Sequence, residues 1–373
     1  MTLRRCTVLG FTLAIGLTTW TAAPSAARAE LPSRLTGPEL WQLSESFSEP
    51  NGTFASDNLV SNETVFAQLV PELQARTKPG GVYMGVGPEQ NFTYIAAMKP
   101  RMAFIVDVRR GNMHMHLMYK ALFELAPTRA DFVARLFTKK RPDGLSPSTT
   151  GPQLMAAFWD VFTGSEAEYD QNLQAIRDQL IKDKLPISEA DFAGIASVYR
   201  TFYWYGLAIS YNGNVRLTGT GQGTSYAALM SQLSPAGESL SYLGTEEKYL
   251  FLKDLETKNM LVPAVGNFAG PKALRAVGAY IREHGATVSA YYVSNVEQYL
   301  KNGLWTSFCG NVATMPLDAA SVFIRPTGSY GNGAGAPMAS TVLTPGMYTM
   351  RTTGAGPARA ALWSMTEDIK TCK

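Results

Sequence analysis

Val82-Tyr-Met-Gly-Val-Gly-Pro-Glu-Gln-Asn91, followed by Phe104-Ile-Val-Asp107, is the stretch that decides the fold. An apolar run ends in Gly85-x-Gly87. A segment of helix length follows. A second apolar run then ends in a carboxylate, Asp107, 22 positions after Gly85. An open α/β fold holds a nucleoside this way. The glycines let backbone approach the ligand, the next helix presents free N–H groups, and the acid takes the ribose hydroxyls. A tight βα turn with Asp107 capping the next helix explains the same residues without a ligand.

Working outward, residues 81–126 read strand, helix, strand, helix. Gly81–Val86 is the first strand and Phe92–Met98 lies in the following helix. Ala103–Val108 is the second strand, unbroken and apolar as in a parallel sheet buried on both faces. Met113–Leu125 is the second helix. Alternation returns over 251–326. Met260–Val265 is a strand, Gly270-Pro271 opens a helix that closes at Gly285, and Thr287–Val293 is the next strand, so that strand, helix and strand read as a βαβ unit. Ser321–Arg325 is a further strand.

The fold class expected is a Rossmann-like α/β sandwich, a mostly parallel sheet with helices on both faces and a helical insertion over about 127–250. In that insertion Thr128-x-x-Asp131 and Ser188-x-x-Asp191 resemble capping boxes. Helical spacing runs from Ala157 to Leu180. Asn212-Gly213 and Gly219-Thr-Gly-Gln-Gly223 are turns. Residues 30–80 read as an N-terminal extension with a short helix over Val65–Leu73, capped by Ser61 or Asn62. Residues 327–373 read as a C-terminal tail, flexible over Gly328–Gly335 and helical from Ala360 to Ile369.

The first 29 residues read as a signal peptide. Arg4 and Arg5 lead an apolar stretch, Val8–Leu17, and Ala27-Arg-Ala29 is a small-x-small cleavage site. Arg4-Arg5 also opens a twin-arginine reading, which Cys6-Thr7-Val8 fits poorly. The protein is therefore expected to be exported, to the periplasm or medium. Cleavage removes three arginines and leaves 30 basic and 30 acidic residues. A neutral chain without a basic patch gives no nucleic-acid signal. No later apolar run reaches the length of a membrane span, so no stable membrane insertion is expected. Cleavage also leaves two cysteines, Cys309 and Cys372, which in an oxidising compartment are expected to pair.

The polar residues that follow four strands converge on one place, because ligands of open α/β sheets bind at the carboxyl ends of the strands. They are Glu89, Gln90 and Asn91; Asp107 with Arg109 and Arg110; Asn267; and Ser294, Asn295 and Glu297. Asn58, Asn62 and Glu63 are candidates to fold over that pocket. A small-molecule ligand is the expected partner. Met113-His-Met-His-Leu-Met118 suits copper by ligand type. On a helix, however, His114 and His116 lie about 200° apart and cannot share a face, so core packing is the better reading and no metal is expected. No Gly-x-Ser-x-Gly elbow marks a hydrolase.

The Gly85-x-Gly87 and Asp107 arrangement resembles the core of class I S-adenosylmethionine-dependent methyltransferases. Residues from about 47 to 326 resemble more closely a group of uncharacterised, often exported bacterial proteins with such a core. Asp57-Asn-Leu-Val-Ser-Asn-Glu63, Val82–Asn91, Phe104–Arg110, Val265-Gly-Asn-Phe-Ala-Gly-Pro271, Tyr292–Leu300 and Ser321–Arg325 carry that likeness. The resemblance implies a cofactor-binding set of Gly85, Gly87, Glu89, Gln90, Asn91, Asp107 and Asn267, with S-adenosylmethionine as the cofactor. Asn62, Glu63, Ser294, Asn295 and Glu297 would face the substrate. Tyr83 stands where the methyltransferase pattern usually has an acid, and Glu89 where it often has a third glycine. A carboxylate there would face the cofactor's own carboxylate. Methyl transfer requires alignment of donor and acceptor more than covalent chemistry. S-adenosylmethionine is nevertheless a cytoplasmic metabolite. The alternative is therefore a non-catalytic exported scaffold or interaction module with a degenerate pocket.

Overall fold

The computed structural model describes residues 29–63, 66–211, 224–300, 302–327 and 359–372. The signal segment, the turns at 212–223 and the Gly328–Gly335 stretch lie outside the described residues.

Among the described residues six strands form one sheet: β1 (Val82–Gly85), β2 (Met102–Asp107), β3 (Leu261–Val265), β4 (Val288–Tyr292), β5 (Val322–Thr327) and β6 (Arg359–Ser364). Their order is β3-β2-β1-β4-β5-β6. The first five are parallel and β6 is antiparallel to β5. This is a Rossmann-like α/β fold. β1, β2 and β3 are buried at every position, as the unbroken apolar runs require.

β3 and β4 do not pair, although they flank a single helix, Ala273–Glu283. β2 and β1 lie between them. The chain leaves the sheet at one edge and returns on the far side of β1. That reversal makes the boundary between β1 and β4 the topological switch point, where open α/β sheets bind ligands. The helix also begins later than Gly270-Pro271 suggests. Glu49 from the N-terminal extension accepts from the backbone N–H groups of Asn267, Lys272 and Ala273 at 2.9–3.1 Å. Its carboxylate fills the place a side chain on Gly270 would need.

The N-terminal extension covers the open edge of β3. Glu49 N–H donates to Val265 O at 2.8 Å, Val265 N–H to Ser48 Oγ at 2.9 Å, and Ser44 Oγ to Pro263 O. These bonds satisfy backbone groups that an edge strand leaves open, and Pro263 is tolerated because β3 is that edge. The expected helix over Val65–Leu73 is instead a 3₁₀ turn, Phe66–Leu69, followed by an α-helix, Val70–Arg76. Pro71 explains the shift, since proline fits only the first turn of a helix. Neither Ser61 nor Asn62 caps it.

Helices cover both faces. Phe47 and Tyr280 pack edge-on against Phe104 of β2. Elsewhere Phe92 meets Tyr119, Phe123 and Tyr242. Between the helix Arg110–Leu125 and β3 the chain forms Arg129–Leu136, Gly151–Trp159, Glu166–Lys182, Glu189–Tyr205, Tyr226–Met230 and Glu246–Thr257. The spacing from Ala157 to Leu180 is therefore split between two helices. Ser188 and Asp191 form a full capping box. At Thr128 the hydroxyl accepts from Asp131 N–H and donates to the Asp131 carboxylate, without the return bond to the backbone that completes the box at Ser188.

The tail differs from the single helix that Ala360–Ile369 suggests: Arg359–Ser364 is strand β6 and the helix is Met365–Thr371. The open edge of β5 takes the segment in register from Val322 opposite Ser364 to Thr327 opposite Arg359. Ser364 then caps the helix by accepting from Glu367 N–H. A disulfide joins Cys309 to Cys372, with Cα atoms 5.8 Å apart, and ties this tail to the helix Leu304–Val312.

Candidate functional site

The turn after β1 is built from its own residues. Asn91 staples it: Nδ2 donates to Val86 O at 2.9 Å and Pro88 O at 2.7 Å, and Oδ1 accepts from Tyr83 OH at 2.8 Å. A Cβ on Gly85 would collide with that same Oδ1. Gly85 thus admits Asn91, and neither residue lines the cleft described below. Gly87 differs. Its φ is +77°, a left-handed conformation that favours glycine, and nothing lies within 4 Å of where its Cβ would sit. Its carbonyl is held by Asn112 Nδ2 at 2.8 Å and lies 2.9 Å from His116 Nε2, so both side chains brace the turn. His114 bonds Asp191 at 2.9 Å instead. Among the described residues no group of three His, Cys, Asp or Glu side chains is placed to hold a metal ion.

Glu89 and Gln90 point into the protein. Glu89 Oε1 lies 3.4 Å from Ser61 N–H and Oε2 has no partner among the described residues. Burial pushes its carboxyl up to about 8, so near neutral pH it is mostly uncharged. The repulsion expected between a Glu89 carboxylate and a cofactor carboxylate therefore does not arise. Gln90 donates to Glu63 at 2.9 Å and accepts from Ser61. Glu63 also accepts from Tyr292 OH at 2.7 Å and Ser294 Oγ at 3.2 Å. This buried polar layer lies behind the cleft wall and fixes its residues: Ser61, Tyr292 and Ser294 line the cleft, whereas Glu63 and Gln90 do not.

The cleft encloses about 280 Å³ at the carboxyl ends of β1, β2, β3 and β4, near the small end for small-molecule sites. Gly87 and Pro88 form one side of it, Asp107 to Arg109 the next, then Gly266 to Phe268, then Ser294 to Val296. Asn267 is present, but its side chain accepts from Ala269 N–H at 2.9 Å and shapes its own turn. Ser294 is held in a left-handed conformation, φ +47°, an uncommon state for a residue other than glycine and one that recurs at functional sites. Glu297 is absent from the lining. It is buried in an ion pair with Arg325, whose Nη2 lies 2.7 Å from Oε1, and Arg325 also bonds Asp368. Glu297 thus anchors the tail.

Asp107 and Arg109 are the only acid and the only cation among the described lining residues. Burial raises the Asp107 pKa, and Arg109 works against that rise. Arg109 N–H donates to Asp107 Oδ1 at 2.9 Å and its Nε lies 3.3 Å from the same oxygen.

The N-terminal extension closes the mouth. Gly52 N–H donates to Val108 O at 2.8 Å and Leu59 N–H to Tyr211 O at 3.2 Å. Between these ties, Thr53, Phe54 and Asn58 enter the lining, with Ser61 and Asn62 beyond them. Phe54 meets Tyr299 edge-on at 5.1 Å. Asn58 Oδ1 is buried without a hydrogen-bond partner among the described residues. Phe54, Tyr211, Phe268, Tyr292 and Tyr299 make the walls largely aromatic. Sequence reasoning missed these aromatic residues and Glu49. Tyr292 was open to inference as a residue near the end of a strand, but nothing local marks Phe54 or Glu49.

No curated protein matches the chain. A family profile described as a domain of unknown function, DUF7790, matches residues 58–146 and 169–347, a span that holds β1 to β5 and most of the cleft lining. The chain belongs to this DUF7790 family.

Proposed function

We propose that the cleft binds a nucleoside-like small molecule. One observation carries this reading: the cleft opens at the switch point between β1 and β4, with the bare Gly87 backbone on one side and the Asp107 carboxylate on another. A ribose diol suits Asp107. The aromatic walls suit a base, and the unsatisfied Asn58 Oδ1 suits an amino donor on it. The residues thus fit the adenosine half of S-adenosylmethionine. They fit its methionine half less well, because Asn91 is committed to the turn and Glu89 and Gln90 face inward.

Methyl transfer is the reaction such a cofactor would supply. The chain's part would be to hold donor and acceptor in line and exclude water, with the 52–62 strap across the mouth. Export follows from the N-terminal signal pattern and is supported by the disulfide. Among the described residues no helix is long and apolar enough to cross a membrane.

The Arg109–Asp107 contact favours a second reading. If Arg109 keeps the acid, the protein is a non-catalytic exported module with a degenerate pocket. Melting curves separate the two. S-adenosylmethionine, S-adenosylhomocysteine or adenosine, at roughly 100 times its dissociation constant, raises stability by about 2.7 kcal/mol where it binds only the folded chain. A rise with the wild type that Asp107→Asn abolishes supports the nucleoside site. No rise with any of the three supports the degenerate pocket.

A further inference from the structure

Open α/β folds hold phosphate groups with three kinds of donor: the N–H groups of a glycine turn, the first turn of a helix that follows a strand, and a free cation. Around this cleft the chain's own groups take up each kind. In the turn after β1, Gly87 is followed by Pro88, which has no N–H to offer. Beyond it the N–H groups of Asn91 and Phe92 turn back to Pro88 O at 3.3 Å and Glu89 O at 2.9 Å. After β2, Arg109 N–H is held by Asp107 Oδ1 at 2.9 Å. Arg110 N–H, the first of the helix Arg110–Leu125, is held by Asn51 Oδ1 at 2.7 Å. After β3, the Glu49 carboxylate takes the N–H groups of Asn267, Lys272 and Ala273. Asn51 and Glu49 both belong to the N-terminal extension, so one short segment fills the entrances of two helices.

The cations are committed too. Arg109, the only cation of the described lining, donates through Nη1 to Asp57 O, and its Nη2 lies 3.4 Å from Asp107 Oδ2. Next to the lining, Arg110 pairs with Asp191 at 2.6 Å and Glu45 at 2.9 Å, and Lys272 Nζ donates to Ser48 O at 2.8 Å. The Asp107 carboxylate would repel an anion in the same space, and an anion taken out of water without donors or a counter-charge is costly. We infer that the N-terminal extension makes the cleft selective for an uncharged nucleoside. With Glu49 and Asn51 in the helix entrances and Arg109 committed to Asp107 and Asp57, the site rejects the phosphorylated form of the same nucleoside. The inference rests on the nucleoside reading of the cleft and narrows its ligand from nucleosides and nucleotides to nucleosides alone.

Titration calorimetry with adenosine and adenosine 5′-monophosphate, at matched ionic strength and pH 7.5, tests it on the full chain. Adenosine is expected to bind about tenfold tighter or more than the monophosphate. The gap should narrow as salt screens the repulsion, and as pH falls below about 6, where the phosphate takes up a proton. Glu49→Ala bares the N–H groups of Asn267, Lys272 and Ala273, and the ratio of the two affinities should fall by about threefold or more. The milder Asn51→Ala, at an exposed position, should move the ratio the same way, and a ratio of affinities cancels any loss common to both ligands. Equal or tighter binding of the monophosphate by the wild type overturns the inference and leaves the nucleoside reading standing. So does a monophosphate affinity that falls with salt, the mark of a phosphate held by a cation, or a ratio that neither variant changes. Binding of neither ligand overturns the nucleoside reading, and the inference with it.

Discussion

Arg109 clamps Asp107: its backbone N–H donates to Oδ1 at 2.9 Å and its guanidinium Nε lies 3.3 Å from that oxygen. The acid that would meet a ribose is thus buried and already partnered. Arg109→Ala leaves Asp107 in its burial without a cation, and its pKa rises further. The expected loss is about 2 kcal/mol near neutral pH. It shrinks as pH falls through the raised Asp107 pKa, because a protonated carboxyl no longer needs the cation. Urea melts of both chains at several pH values check this. A deficit that does not change with pH would mean the pair is not what Arg109 supplies.

The two glycines of the motif are expected to fail differently. Gly85→Ala drives a Cβ into Asn91 and should cost about 1–3 kcal/mol through overpacking of the turn. Gly87→Ala meets nothing. It carries only the strain of a left-handed backbone, about 1–2 kcal/mol, and pushes a methyl toward the cleft. Stability and ligand affinity should therefore separate. Gly87→Ala binds worse than its stability loss explains, and Gly85→Ala shows mainly instability.

Glu89 sets a pH dependence. Its carboxyl stays protonated in the folded chain up to about 8, whereas the unfolded chain loses that proton near 4.3. Between these values the folded state holds the extra proton, so this group's contribution falls as pH rises. Glu256, pushed to about 8 by burial, adds to the same slope. Glu89→Gln should raise stability at pH 7.5 by on the order of 2 kcal/mol, with little effect at pH 4. Equal effects at both pH values would show that Glu89 is not protonated when folded.

The disulfide closes a loop with a sequence separation of 63. Loop-closure entropy puts its loss at about 4 kcal/mol. Cys309→Ser with Cys372→Ser should lower the melting temperature by ~8 °C or more and loosen β6 first, since the bond ties the tail beside it. Hydrogen exchange at Arg359–Ser364 reads this directly. Unchanged protection would show that pairing with β5 alone holds the strand.

How much of this was legible follows from range. The strands around Gly85 and Asp107 declare themselves because both faces of a parallel sheet are buried and the apolar run is local. The order of strands is not local. Nothing in Met260–Val293 says that β3 and β4 straddle two other strands. Ala360–Ile369 has helical composition, and only the vacant edge of β5 makes its first half a strand. Polar type also misleads about direction. Glu89, Gln90 and Asn91 follow the glycine turn as ligand-binding residues do, yet each has an inward partner or inward burial that sequence does not show. Glu49 lies 218 positions before Asn267 and caps its loop across the fold.

Titration calorimetry of the wild type and Asp107→Ala with S-adenosylhomocysteine and adenosine tests the nucleoside site most directly. The account predicts one site per wild-type chain for at least one of these ligands, and no measurable heat of binding with a folded Asp107→Ala variant. No binding by the wild type to either ligand, or undiminished binding by the variant, would contradict it.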